Sequence, residues 1–392
     1  MNILFVTNKN VYPLIGGIER ITYSVAEALR NIYGMRCYSL YTQENMLGAT
    51  TTDVFEDKEC LSEKDQVEQI AAYIKDHAID VVIAQGSDAR VNDIMPQLRE
   101  AVDQCTGVKL LFVYHTMPSF ELRPIDFGVL LHRLLKGGNK KAACKQSLIQ
   151  FLVSVAPQVA KKMVSPKYQM PYQCADKVVV LSDNYVQLFN QFVQGEEDHY
   201  AVVHNMLSFP NNAISITEKQ KEVILVARME ESAKRVKTAL KVWKKVMQPN
   251  WHFYIVGDGE DMVYYKQYAK KLQLQNVSFE GIQNPLAYYE RASIFIMSSA
   301  YEGWPMTLME AQQCGCVPIA FDSYSAVHDI IDSGKNGIIV PEGDIDGYAR
   351  ALQALMNNPK ELQRLSDNAR KDCMRYSREN IAKQWKTLLE NL

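Results

Sequence analysis

The sequence predicts an α/β protein built from two Rossmann-like domains that face each other across a cleft. Three observations predict it. Apolar strand-like runs alternate with helix-length amphipathic stretches, the alternation breaks once near residues 206–218 and restarts, and 392 residues suffice for two cores of ordinary size.

In the first half, strands are expected at Ile3–Val6, Val81–Ala84, Leu110–Tyr114, Val178–Leu181 and Ala201–Val203. Between them lie helical patterns such as Gly17–Asn31, Glu63–Asp76 and Asp88–Cys105. Strands separated by helices argue for a mainly parallel sheet covered on both faces. The turn-rich stretch around Ser208-Phe-Pro-Asn-Asn212 interrupts the pattern. It resumes with a strand at Val223–Ala227, a helix at Val236–Met247, a strand at Phe253–Val256 and a helix near Asp261–Leu272. Strands at Ala292–Met297, Val317–Phe321 and Gly337–Val340 follow, with a helix opening near Pro305. The last helix, Arg378–Glu390, carries Ile381, Trp385, Leu388 and Leu389 on one stripe. The expected division is 1–205, a linker at 206–218, 219–375, and a terminal helix at 376–392.

Composition narrows the class. A chain that is 47% hydrophobic and 22% charged reads as soluble and globular. Its start, Met1-Asn-Ile-Leu-Phe-Val-Thr7, reads as a first buried strand rather than a signal peptide. No apolar run approaches the roughly 20 residues that span a bilayer. Eight cysteines without a paired framework or a zinc signature fit a reduced, cytoplasmic protein. Net charge is −2, yet residues 127–175 contain no acid and eight bases: Arg133, Lys136, Lys140, Lys141, Lys145, Lys161, Lys162 and Lys167. This block is either an interaction surface for anionic lipid or an anionic acceptor, or a set of solvated helix faces.

Glu302 and Glu310 stand eight residues apart in Ser299-Ala-Tyr-Glu-Gly-Trp-Pro-Met-Thr-Leu-Met-Glu-Ala311. A buried strand precedes them, Pro305 sits where a first helical position would be, and Cys314-Gly315 would end the helix. A helix start offers unpaired N–H groups and partial positive charge, which suits a phosphate. Two carboxylates beside it suit sugar hydroxyls. A nucleotide-sugar, with hydroxyl-bearing rings at both ends of a diphosphate, fits that layout.

Other candidates carry weaker signals alone. Gly16-Gly17 opens a helix after the first strand and permits close backbone approach to a phosphate or sugar, although such pairs are common turns. Arg228 and Lys234 follow a strand and suit a diphosphate, or are solvated charges of a helix start. His115 ends the strand Leu110–Tyr114, where it can donate to a sugar hydroxyl, carry a proton, or serve structure. Gly257-Asp-Gly259 reads as a tight turn, a fragment of the dinucleotide fingerprint. Asp344-Ile-Asp346 has the form of a metal signature, but a helix N-cap explains it better.

Together these residues resemble glycosyltransferase family 4, retaining enzymes of the GT-B fold. The resemblance rests on Gly16-Gly17-Ile-Glu19, His115, Arg228 with Lys234, Gly257-Asp-Gly259, the Glu-x7-Glu element Glu302–Glu310, Gly315-Cys-Val-Pro318 and Asn336-Gly337-Ile-Ile-Val340. It implies an acceptor-binding first domain, a donor-binding second domain and a final helix crossing back to the first. It implies that Arg228 and Lys234, with amides around Pro305, Met306 and Thr307, hold the donor diphosphate. Glu310 would accept from the ribose and Glu302 would lie at the transferred sugar. Gly16 and Gly17 would approach the donor phosphate and the acceptor. No metal or other cofactor is implied. Two departures stand out: Arg235 replaces a common glycine, and Trp304 replaces a phenylalanine and could reshape the sugar pocket.

The expectation is a cytoplasmic, metal-independent, retaining transferase, working at the inner membrane face if the basic block meets lipid. It would move a hexose or N-acetylhexosamine from a nucleotide diphosphate sugar, with UDP as the expected nucleotide, to a saccharide or lipid-linked saccharide. Surface polysaccharide or glycoconjugate assembly is the expected setting, with no nucleic acid partner. A nucleotide-sugar epimerase of similar fold and a non-catalytic assembly partner are the alternatives. Retention of Arg228, Lys234 and Glu310 argues against the latter.

Overall fold

The computed structural model describes residues 1–12, 16–44, 54–62, 64–86, 89–123, 140–210, 218–246 and 248–392. Two compact units emerge among them. The first holds residues up to 123, then 140–206, together with Tyr376–Leu392; the second runs from Leu207 to Arg375. The ends of three expected elements, at Glu63, Asp88 and Met247, lie outside the described residues, as do the linker positions 211–217.

The first unit is built on seven strands: β1 Asn2–Lys9, β2 Arg36–Gln43, β3 Lys58–Cys60, β4 Val81–Gly86, β5 Lys109–Tyr114, β6 Lys177–Val180 and β7 Tyr200–Val202. They lie in the order β3-β2-β1-β4-β5-β6-β7 and every pairing is parallel. The second unit has β8 Gln220–Val226, β9 His252–Val256, β10 Val277–Gly281, β11 Ala292–Met297, β12 Val317–Asp322 and β13 Ile338–Pro341. Their order is β10-β9-β8-β11-β12-β13, again all parallel. Parallel pairing demands crossovers, and the helices between strands supply them. Central strands covered on both faces are apolar but for Ser293: Ile3–Val6, Val81–Ala84 and Ala292–Met297 are buried without a break.

In each sheet the strand order reverses once, between β1 and β4 in the first and between β8 and β11 in the second. In open α/β sheets ligands bind outside the carboxyl ends of the strands at such a point. The elements that matter for function therefore follow β1 and β4, and β8 and β11.

Several details differ from the expectation. The edge-side strands β2, β3 and β10 carry Ser, Tyr, Thr, Lys and Glu among their apolar residues, so no clean apolar run announces them. The stretch 88–105 is two helices, Ala89–Asp93 and Met95–Asp103. Pro96 lacks an N–H and sits in the first turn of the second, so the chain restarts there after Ile94. Between Lys140 and Cys174 three consecutive helices form, Lys140–Val155, Pro157–Val164 and Pro166–Cys174.

The last helix, Arg378–Glu390, belongs to the first unit. Ser377 caps it by accepting from the Asn380 amide. Its Ile381, Ala382, Trp385 and Leu389 are buried, Arg378 pairs with Glu27 of the helix Gly17–Tyr33, and Lys386 lies over the Tyr33 ring. Among the described residues no helix is long and apolar enough to cross a membrane.

Candidate functional site

In the second unit, two loops converge where the strand order reverses. The loop after β8 carries Arg228 and the short helix Glu231–Lys234. The loop after β11 carries Ser298–Pro305 and leads into the helix Met306–Gln313. Backbone and hydroxyl contacts stitch the loops together. Ala300 N–H donates to the Ala233 carbonyl at 2.7 Å, and Ser298 Oγ donates to the Lys234 carbonyl at 2.8 Å. Lys234 Nζ consequently reaches Glu302 Oε1 at 2.6 Å, and Ser299 Oγ donates to the same oxygen at 2.6 Å. Both charged side chains are mostly enclosed, so water screens the pair less than it would a surface pair.

The loop that presents Lys234 is braced from below. Asp261 Oδ2 accepts from the Glu231 amide at 2.8 Å, and Glu231 Oε2 accepts from the Lys237 amide at 3.1 Å. Both carboxylates are buried, and burial raises the Glu231 pKa above the ordinary carboxylate range. The turn Gly257-Asp-Gly259 locks the other end. Met229 N–H donates to the Asp258 carbonyl at 2.9 Å, and Gly257 has a φ of +120°. A Cβ at Gly257 would sit 2.0 Å from the Ala227 carbonyl oxygen, so only glycine lets the turn approach the Arg228 loop this closely.

Arg235 takes a left-handed conformation, φ 47° and ψ 42°, at the junction of two helices. That geometry suits the glycine that the resemblance leads one to expect. Its side chain reaches Glu342 Oε1 at 2.7 Å, in the loop after β13.

Each expected site residue has a definite place. Arg228 is 71% exposed, with its guanidinium against Glu230 at 2.5 Å. Pro305 is not the first helical residue: its ψ of 86° makes it the cap, and the helix starts at Met306. The Pro305 carbonyl accepts from Leu308 and Met309. The amides of Met306 and Thr307 have no backbone partner among the described residues, as expected of a helix start.

Glu310 lies deeper than a ribose contact would suggest. It is 1% exposed, accepting from Ser208 Oγ at 2.7 Å and from Tyr289 Oη at 3.1 Å. Trp304 is turned inward: its ring is buried and Nε1–H donates to Met309 Sδ at 3.1 Å. Asp344 caps its helix by accepting from Gly347 N–H at 2.7 Å, and Asp346 pairs with Lys245. Among the described residues no group of three or more His, Cys, Asp and Glu is placed to hold a metal.

The first unit holds the remaining candidates. Gly16 has a φ of +64° and caps the helix Gly17–Tyr33, and a Cβ there would meet the Glu19 carboxylate. Among the described residues nothing lies within 4 Å of where a Gly17 Cβ would be. His115 follows β5; its Nε2 bonds to Gln85 Oε1 at the end of β4, and enclosure by protein pulls its pKa from 6.5 down to about 4. A neutral imidazole donates from one nitrogen and accepts at the other. Ser208, Tyr289, Ser299 and Asp261 were not expected from sequence. Ser208 lies in a turn-rich stretch and Asp261 at a helix start, neither in a pattern that marks a site.

Comparison with known proteins gives a matching picture. Residues 211–372 match the model of the family described as glycosyl transferases group 1. An uncharacterized glycosyltransferase of Haemophilus influenzae is 29% identical over 227 residues, covering 57% of this chain and 63% of that protein. The lipopolysaccharide 1,6-galactosyltransferase of Escherichia coli is 30% identical over 192 residues, 46% of this chain and 52% of that protein. The chain thus spans less than two thirds of either relative's length. In structure, Anabaena HepE in complex with UDP superposes with a TM-score of 0.75 at 15% identity, each chain covered completely. With its two parallel sheets and their strand order the chain has the GT-B fold, and its residues 211–372 are similar to glycosyl transferases group 1.

Proposed function

We propose that the protein is a retaining glycosyltransferase. It transfers a hexose or N-acetylhexosamine from a nucleotide diphosphate sugar, preferably a UDP-sugar, to a saccharide or lipid-linked saccharide in surface polysaccharide assembly. The observation that carries this reading is the Lys234–Glu302 pair at the strand-order reversal, beside the open amides of Met306 and Thr307. UDP in the HepE complex and the galactosyl transfer named for the Escherichia coli relative favour the donor class.

In this reading the diphosphate takes the place of Glu302 against the Lys234 ammonium and caps the start of the helix at Met306. Arg228, largely exposed beside Glu230, adds a second cation. Glu302, released from Lys234, accepts from hydroxyls of the transferred sugar. As the C1–O bond to the diphosphate breaks, negative charge grows on the leaving oxygen, and Lys234, Arg228 and the amides stabilise it. The acceptor hydroxyl attacks C1 from the same face, its proton passing to the departing phosphate oxygen. Retention follows without a covalent intermediate. Glu310 reaches a ribose only if Ser208 yields its place; otherwise it serves as a brace.

The cations belong to the chain, so transfer is expected to survive EDTA. Incubation with UDP-, GDP- and ADP-sugars, with product analysis and thermal shift, tests the reading. UDP-sugar preference with an α-linked product from an α-linked donor supports it. A preference for GDP-sugars overturns the nucleotide, an inverted linkage overturns the stereochemistry, and isomerised donor without transfer overturns the reaction.

A further inference from the structure

Ten large apolar side chains are exposed among the described residues, and five of them fall between Leu148 and Met163. They are not scattered. Leu148, Phe151 and Val155 are spaced by three and four along the helix Lys140–Val155, which puts them on one stripe. Val159 and Met163, four apart, form a second stripe on the next helix, Pro157–Val164. Phe151 is 62% exposed and Val155 59%. Isolated exposed apolar residues need no explanation, but two consecutive helices with outward apolar stripes do.

Charge identifies the occupant. Residues 127–175 contain no acid, and Lys161 and Lys162 flank the second stripe. Neither lysine forms an ion pair among the described residues, whereas Lys167 is spent on Glu121 at 2.5 Å and over the Phe120 ring. The expected basic block thus divides. Lys167 is structural, Lys161 and Lys162 are available, Arg133 and Lys136 lie outside the described residues, and so do the side chains of Lys140, Lys141 and Lys145. Apolar stripes edged by unpaired lysines match the interface of an anionic bilayer, where acyl chains take the apolar residues and headgroups take the ammonium groups.

We propose that the helices Lys140–Val155 and Pro157–Val164 seat the protein on an anionic membrane surface. Leu148, Phe151, Val155, Val159 and Met163 would dip into the boundary between headgroups and acyl chains, and Lys161 and Lys162 would meet lipid phosphates. The donor chemistry plays no part in this contact, so vesicle binding and sugar transfer can fail separately.

Co-sedimentation of the full chain with vesicles tests it, using phosphatidylcholine alone and phosphatidylcholine mixed with phosphatidylglycerol. Binding is expected to the mixed vesicles and to weaken with salt. Phe151→Ser should reduce partitioning about tenfold or more, and Lys161→Gln and Lys162→Gln about fivefold each at low salt. Thermal midpoints of the Phe151→Ser and Lys162→Gln variants should match the parent, because both positions are exposed, and that of Lys161→Gln, partly exposed and without an ion pair among the described residues, should lie close to it. Absence of binding, equal binding to both vesicle types, or parent-like binding by Phe151→Ser would overturn the proposal. So would a dimer in sedimentation velocity that Phe151→Ser dissociates without any vesicle binding, since the stripe would then be a self-association face.

Discussion

The two sheets solve one problem in the same way and then diverge. Both are wholly parallel, and both reverse strand order once, beside the strand that opens the unit. What differs is the cargo at the carboxyl ends of the strands. The first presents two glycines at a helix start and a neutral histidine after β5. The second presents an ammonium, a guanidinium and a carboxylate on loops braced by Asp261, Glu231 and the Gly257 turn. Among the described residues the cations Arg228 and Lys234 lie on the second unit's loops, and the proposed diphosphate site is therefore assigned there. Function here follows from loop composition, since strand order is shared.

The difference can be broken at its strongest point. Lys234→Ala should lower the transfer rate about 100- to 1000-fold, the usual loss when a preorganised charge contact to a leaving group is removed. Its thermal midpoint should fall, because Glu302 loses its ammonium partner in an enclosed setting, so the rate is read at a temperature where the variant is folded. A rate within threefold of the parent would remove the second unit's claim to the chemistry.

The bracing can be broken next. Gly257→Ala drives a Cβ into the Ala227 carbonyl and asks alanine for a φ of +120°. A stability loss of about 2–3 kcal/mol is expected, with weakened nucleotide binding because the Arg228 loop must move. Denaturant unfolding and nucleotide titration check both halves.

The histidine sharpens the contrast from the first unit's side. His115 has a folded pKa of about 4 against 6.5 in its ordinary state. The unfolded chain therefore takes up this proton first as pH falls. The stabilising contribution is complete above about pH 6.5 and is lost as pH drops toward 4. His115→Gln should flatten that part of the stability profile, and an unchanged profile would show that the imidazole is not held neutral.

The smallest effect is expected at Arg235. Arg235→Gly relieves a left-handed residue, a gain of about 1 kcal/mol, and loses a partly exposed pair with Glu342 worth about 0–1 kcal/mol. The midpoint should rise slightly or stay level; a clear fall would mean that the pair with Glu342 outweighs the strain.

Much of this was legible in the sequence. The buried run Ala292–Met297 and the carboxylates eight residues apart marked a strand, a loop and a helix, and those elements are found in that order. The strands β2 and β3 were not legible, because edge-side positions tolerate hydroxyls and charges that erase the apolar signal. Nor was the orientation of Glu310. Its partner Ser208 is 102 residues away, and helix periodicity places a residue on a face without saying which hydroxyl meets it. The burial of Trp304 was illegible for a related reason: composition identifies a large ring, but only packing shows that it points at Met309. Lys234 and Glu302 were both singled out, yet their contact depends on two loops stitched by Ala300 and Ser298, whose small side chains carry no motif.

That contact offers the most direct test. Glu302 pairs with the Lys234 ammonium that the diphosphate is proposed to take. Glu302→Gln removes both the competitor and a negative charge near the phosphates. Calorimetric titration of UDP, alongside the transfer rate, should show binding as tight as the parent's or tighter while transfer falls at least tenfold. Parallel loss of UDP binding and transfer would contradict the account, because Glu302 would then be a nucleotide ligand and not the sugar-side partner of Lys234.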